Sequence, residues 1–377
     1  MTEQATKRLT DRLEESTSNR RIAWWLFACC GLLVAMILVG GATRLTHSGL
    51  SIVEWQPIVG TLPPMNHEAW IDAFQKYQDS PEYRYINRGM SLEEFKSIFW
   101  WEYFHRLLGR TIGLVFLAPL LYFISRRMIR RGLTRKLLGI FLVGALQGAM
   151  GWYMVTSGLI HDPHVSQLRL AAHLGLALLL LAAMLWTALT LVYPIGGAVP
   201  KARALQRAAA ALTVLIFVMA LSGALVAGLR AGLIYNTFPL MHGYVLPPGG
   251  MVMTPWYTNL FSNLVTVQFD HRLLAWLLAV LVPWFWWRAR HAPGLTPRAH
   301  TAIRLLLAML VIQVSLGIST LLLIVPTGLA VTHQAGAVLL FAAAVNATHA
   351  LYYGTPGTKR TPLPREQTRR SDVPAVA

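Results

Sequence analysis

The sequence predicts an all-α membrane protein, its eight transmembrane helices forming two parallel-repeat four-helix bundles. Three observations predict it. The 377 residues are 55% hydrophobic and only 13% charged, with a mean hydropathy of +0.48, a composition typical of polytopic membrane proteins. Eight apolar runs approach or exceed the roughly 20 residues that a helix needs to cross a bilayer core. Two histidine pairs recur at a near-constant offset: His105 and His271 are 166 residues apart, and His173 and His333 are 160 apart.

The elements follow in order. Residues 1–23 are a polar tail of mixed charge, unlike a cleaved signal or an organelle transit peptide, so the first span is expected to be retained. The spans cover 24–43, 101–124, 137–156, 168–193, 208–228, 265–287, 302–325 and 329–352. Each must be helical, because lipid offers its backbone no hydrogen bonds. Spans one to four (24–193, with the long loop 44–100) form the first bundle, 194–207 is a linker, spans five to eight (208–353) form the second, and 354–377 is a tail. Within the loop, Ser91 and Glu94 read as a capping box opening an amphipathic helix that runs into span two. Cys29 and Cys30 are adjacent within span one and read as small apolar side chains.

Charge sets the orientation. Five Lys/Arg precede span one, six lie in 125–136, three in 194–207, four in 288–304 and five in the C-terminal tail, while the loop after span seven has none. Both termini are therefore expected in the cytoplasm, with loops 44–100 and 229–264 outside. The net charge of +17 reads as topogenic charge facing anionic membrane lipids. No basic face with interleaved aromatics stands outside these loops, so nucleic acid is not an expected partner. Four spans per copy make the repeat parallel, about an axis along the membrane normal.

His105, His173, His271 and His333 all fall near the outer starts of spans two, four, six and eight. Intramembrane imidazole is costly without a partner, and two per bundle at matched depth suit the two axial positions of an iron porphyrin. A zinc ion would be left short of ligands. The other histidines, namely His47, His67, His161, His164 and His242 in outer loops and His291, His300 and His349 at the cytoplasmic side, read mostly as solvated or interfacial. Arg44, Arg106, Arg230 and Arg272 lie at the outer boundary and are candidate contacts for porphyrin propionates; snorkelling to the interface is the other reading. Glu102 stands three residues before His105, where the second copy has Gln268. That asymmetry suggests acid–base or charge-stabilising chemistry in the first copy only, or an interfacial pair with Arg106. Gln147 and Gln313 read as interhelical hydrogen-bond partners.

The run Gly40-Gly41-Ala-Thr43-Arg44-Leu45-Thr46-His-Ser48-Gly49-Leu50-Ser51, then Trp55-Gln-Pro57 and Pro63-Pro64, then Glu102-x-x-His105-Arg106-x-x-Gly109-Arg110, resembles the heme A synthase family over about residues 22–353. The absence of an outer-loop cysteine pair matches the subgroup with alphaproteobacterial and mitochondrial members. The resemblance implies oxidation of the C8 methyl of heme O to a formyl group, through a hydroxymethyl with oxygen from water, giving heme A for cytochrome c oxidase. It implies that His105 and His173 hold the substrate heme iron, that His271 and His333 hold a heme b cofactor, and that Glu102 is catalytic. It further implies a bacterial inner-membrane location and heme O synthase as a partner. Residue patterns alone leave two alternatives, a di-heme b-type quinol oxidoreductase and a heme carrier. They also leave the oligomeric state open, a homo-oligomer included.

Overall fold

The computed structural model describes residues 3–54, 59–159, 164–193 and 203–353, with side chains from residue 16 onward. Trp55, Pro57, His161, most of the linker 194–207 and the tail 354–377 lie outside the described residues. Among the described residues, regular structure is helical apart from one isolated bridge between Met241 and Tyr244. Eleven α-helices are present: α1 (Glu3–Leu45), α2 (His67–Gln78), α3 (Pro81–Tyr85), α4 (Leu92–Ser125), α5 (Arg131–Leu159), α6 (Gln167–Val192), α7 (Arg203–Gly228), α8 (Asn259–Ser262), α9 (Leu264–Arg290), α10 (Pro297–Leu322) and α11 (Thr327–Tyr353). Eight are long and apolar enough to cross a membrane: α1, from Ser16 onward, with α4, α5, α6, α7, α9, α10 and α11. The chain is a multi-pass membrane protein.

Helix ends differ from the apolar windows for a physical reason: caps are polar. Ser91 and Glu94 form the expected capping box, the Ser91 hydroxyl accepting from the Glu94 amide and the Glu94 carboxylate accepting from the Ser91 amide at 2.8 Å. They start α4 nine residues before its apolar window. Thr296 caps α10 and Pro297 fills its first position, where a missing N–H costs nothing. The polar segment 3–23 is helical and continuous with the first span.

α1 packs on α4 and α6, and α5 packs on the same two helices; likewise α7 and α10 each pack on α9 and α11. α4 and α6 therefore face each other diagonally across one ring of four helices, and α9 and α11 across another. The rings meet where α6 packs on α7 and α11, and α1 packs on α11. Half of the most apolar stretch of α6 is buried within the protein, against 6% for α5, so α6 is central and α5 faces lipid. Leu26, Leu33, Leu120, Leu178, Leu181 and Val345 belong to one continuous buried cluster.

At the end carrying the long loops, the first three to four turns of α4 project Phe95, Phe99 and Tyr103 into a second cluster with Tyr77. Tyr77 stacks on Phe95 at 5.2 Å between ring centroids, and α2 and α3 pack over this aromatic layer. Glu82 of α3 is buried here, accepting from the Tyr77 hydroxyl at 3.3 Å. Burial, and then the nearby charge of Glu102, push its carboxyl up to about 8. A carboxyl raised above its ordinary value stabilises the fold fully below about pH 4.5 and loses that contribution as pH rises through about 8. The wild-type protein should therefore lose thermal stability between those limits. Glu82→Gln should flatten that slope, as read by melting curves in detergent across the range.

Candidate functional site

Each of the four predicted histidines stands against a glycine of the span before it. A Cβ on Gly40 of α1 would lie 2.8 Å from His105 Nε2, and one on Gly151 of α5 would lie 3.1 Å from His173 Cε1. In the other ring, a Cβ on Gly223 of α7 would lie 3.2 Å from His271 Cε1, and one on Gly317 of α10 would lie 2.9 Å from His333 Cε1. At such distances any side chain larger than hydrogen would push the imidazole away. His105 and His173 lie within electrostatic range of each other, as do His271 and His333, so each ring of helices brings its two imidazoles together from diagonally opposed helices.

The polar neighbours orient these rings without exhausting them. Gln147 donates to the backbone carbonyl of His173 at 3.1 Å and approaches its ring nitrogens at 3.3 and 3.4 Å. Gln313 donates to the carbonyl of His333 at 3.0 Å, the same bond in the other ring. The Ser222 hydroxyl stands 3.3 Å from His271 Nδ1, which leaves Nε2 for a ligand. His333 Nδ1 is buried without a hydrogen-bond partner, and His105 makes no hydrogen bond with the described residues. Two glycine-seated imidazoles per ring of helices, three of the four with a ring nitrogen that no described residue bonds and the fourth, His173, shared only with the Gln147 amide, fit the two ligand positions of an iron porphyrin. Among the described residues, no group of three or more His, Cys, Asp or Glu could hold a metal ion.

Above each pair an arginine clamps an incoming loop in the same way. Arg106 donates to the carbonyls of Ile52 at 2.7 Å and Glu54 at 3.0 Å. Arg272 donates to those of Tyr235 at 2.6 Å and Thr237 at 2.8 Å. The partner beside the clamp differs. Glu102, 2% exposed, accepts from Arg106 at 2.7 and 3.1 Å, from the Ser51 hydroxyl at 2.8 Å and from the Ile52 amide at 2.8 Å. Gln268 donates to the Tyr235 carbonyl at 3.1 Å, and its own carbonyl oxygen is buried without a partner.

Arg44 and Arg230 meet where the rings join. Arg44 donates to the Ala227 carbonyl at 2.6 Å, and Arg230 to His47 Nδ1 at 3.3 Å. Burial first, then the charges of Arg230, Arg44 and His164, lower the pKa of His47. These groups leave the junction electropositive.

The family model for COX15-CtaA, cytochrome oxidase assembly protein, matches residues 23–345. The chain belongs to the COX15-CtaA family. Relatives named heme A synthase span nearly the whole chain. The protein from Nitrosospira multiformis is 59% identical over 335 residues, covering 88% of this chain and 94% of its own. That from Nitrosomonas eutropha is 58% identical over 327 residues, covering 86% and 92%. That from Parvibaculum lavamentivorans is 48% identical over 340 residues, covering 90% and 97%.

Several residues of this COX15-CtaA site escape a reading based on histidines. The seating glycines are legible afterwards: Gln147-Gly-Ala-Met-Gly151 and Gln313-Val-Ser-Leu-Gly317 share a Gln-x-x-x-Gly pattern 166 residues apart, the interval that separates His105 from His271. One helical turn sets the glutamine under the histidine carbonyl and the glycine under its ring. Gln334, next to His333, donates to the Ile37 carbonyl of α1 at 2.8 Å and fills the space above Gly41. His349, expected near an interface, is instead fully buried, stacked on Tyr353 at 4.3 Å and beside Trp186.

Gly40→Ala and Gly317→Ala should each weaken heme retention in their own half by about 10-fold or more, as losses of ligand positioning do. Gly148→Ala on α5, where an added Cβ meets nothing within 4 Å, should retain wild-type pigment. Pyridine hemochrome spectra of the purified variants measure both.

Proposed function

We propose that the chain makes heme A, oxidising the C8 methyl of bound heme O to a formyl group. The observation that carries this reading is a matched pair of imidazole seats with a carboxylate beside only one of them. Heme O is the substrate, its iron held by His105 and His173. His271 and His333 would hold heme b, which when bound would supply a one-electron relay that passes the electrons singly to an external electron acceptor. In each of two rounds a methyl-derived C–H bond breaks, water supplies a new C–O bond, and two electrons and two protons leave. The hydroxymethyl so formed becomes a geminal diol, which loses water to give the aldehyde.

The chain's own residues then have distinct tasks. Glu102 is the proposed catalytic carboxylate, taking the proton of the attacking water or stabilising positive charge that develops on the substrate. Arg106 fixes the direction of that carboxylate and ties residues 51–54 over the site, which favours exclusion of bulk water. Arg44 and Arg230, at the electropositive junction, are the proposed propionate contacts. Arg106 and Arg272, already bonded to loop carbonyls, serve first as clamps. The two four-helix rings are read as copies of one duplicated unit. The basic short loops support an inner-membrane orientation with both termini in the cytoplasm. Heme O would arrive from a membrane-embedded heme O synthase.

Glu102→Gln tests the charge separately from the scaffold, because Gln268 pins the corresponding loop with a neutral amide. Expressed in cells with no other copy, the variant should accumulate heme O and form heme A roughly 100-fold less, with heme b in the second ring unchanged. Undiminished heme A would remove Glu102 from the chemistry. Two equivalents of heme b and no farnesylated heme in the wild-type protein would overturn the whole reading.

A further inference from the structure

A cavity of about 500 Å³ lies away from the four histidines, at the short-loop end, between α5, α6, α7 and α11. Ala182, Ala183, Ala210 and Val345 make its wall apolar, and Lys136 and Trp186 also line it. Ala182 is nine residues beyond His173, or ~14 Å further along the helix. The hydroxyls of Thr213 and Thr348, also on the wall, are 2.8 Å apart and bond to each other. Lys136 is different. It makes no hydrogen bond or ion pair with the described residues, and it lies within electrostatic range of His349, as does Arg298. Arg298 is held by Asn346 and His349, yet its Nη1 is buried without a partner.

Among the described residues, no carboxylate forms an ion pair with Lys136 or Arg298. Between residues 103 and 353 the only acids in the sequence are Asp162 and Asp270, and Asp270, one residue before His271 on α9, belongs to the opposite, long-loop end. The short loops at this end carry Arg126, Arg127, Arg130, Arg131 and Arg135 just before Lys136. An apolar slot between membrane helices, with an uncompensated ammonium at its wall and a cationic rim beside it, matches a lipid that is oily at one end and negative at the other. Basic pockets between transmembrane helices bind anionic headgroups by this chemistry.

We propose that this cavity binds one anionic phospholipid, its phosphate on Lys136 and an acyl chain between α6, α7 and α11. The lipid would then seal the junction of the two helix rings beneath the histidine sites.

The full-length protein in nanodiscs tests this. In phosphatidylcholine doped with phosphatidylglycerol, the wild type should retain one phosphatidylglycerol in native mass spectrometry and melt several degrees higher than in phosphatidylcholine alone. Lys136→Gln should weaken that retention about fivefold and abolish the shift, with heme content unchanged. Ala183→Phe, which fills the slot and keeps the charge, should do the same; if it fails to assemble, Lys136→Glu takes its place. Inorganic phosphate added to phosphatidylcholine discs should give no shift. Retention in both variants equal to wild type, or an equal shift with phosphate alone, would overturn the proposal.

Discussion

The structure depends on one steric constraint: a helix backbone must come close enough to an imidazole to hold it flat. Inside a membrane a polar ring has no water to share, so its direction has to be fixed by protein. Glycine permits that, because a neighbouring helix without a Cβ presents its backbone directly to the ring. Four such contacts, at Gly40, Gly151, Gly223 and Gly317, fix which helix lies beside which. The glutamine bonds to the His173 and His333 carbonyls then lock the height of two of these helices against their neighbours.

The loops repeat that logic one layer up. Arg106 and Arg272 each grip two carbonyls two residues apart, a spacing that exposes alternate carbonyls of extended chain to one guanidinium. On this common frame the chain varies one group. Glu102 closes a fully satisfied network, whereas Gln268 leaves an oxygen unmatched. Changing charge while conserving geometry is an economical way for two similar sites to differ in chemistry.

Most of this was legible in the sequence. Hydropathy located eight spans because lipid enforces long apolar helices, and the histidine offsets pointed to their pairing. The ends were less legible, since α1, α4 and α10 begin in polar residues that a hydropathy window discards. The seating glycines were hidden because a glycine in a membrane helix is common, and only its opposing side chain reveals its purpose. The burial of His349 was hidden because its partners Trp186 and Tyr353 come from another helix and from one turn along its own. The bonding of Arg106 was only half visible: Glu102 four residues earlier was an evident partner, but the carbonyls of Ile52 and Glu54 arrive by a loop whose path no local pattern encodes.

Gly40 and Gly41 are consecutive, yet they serve opposite halves of the molecule. The first receives His105, and the second receives Gln334, the neighbour of His333. Successive residues on a helix point about 100° apart, so one turn of α1 acts as a hinge pin shared by both chambers. A rotation or slide of α1 cannot adjust one chamber and spare the other. Any sequence drift at this turn is thus constrained twice over, and the two halves are bound to change in concert.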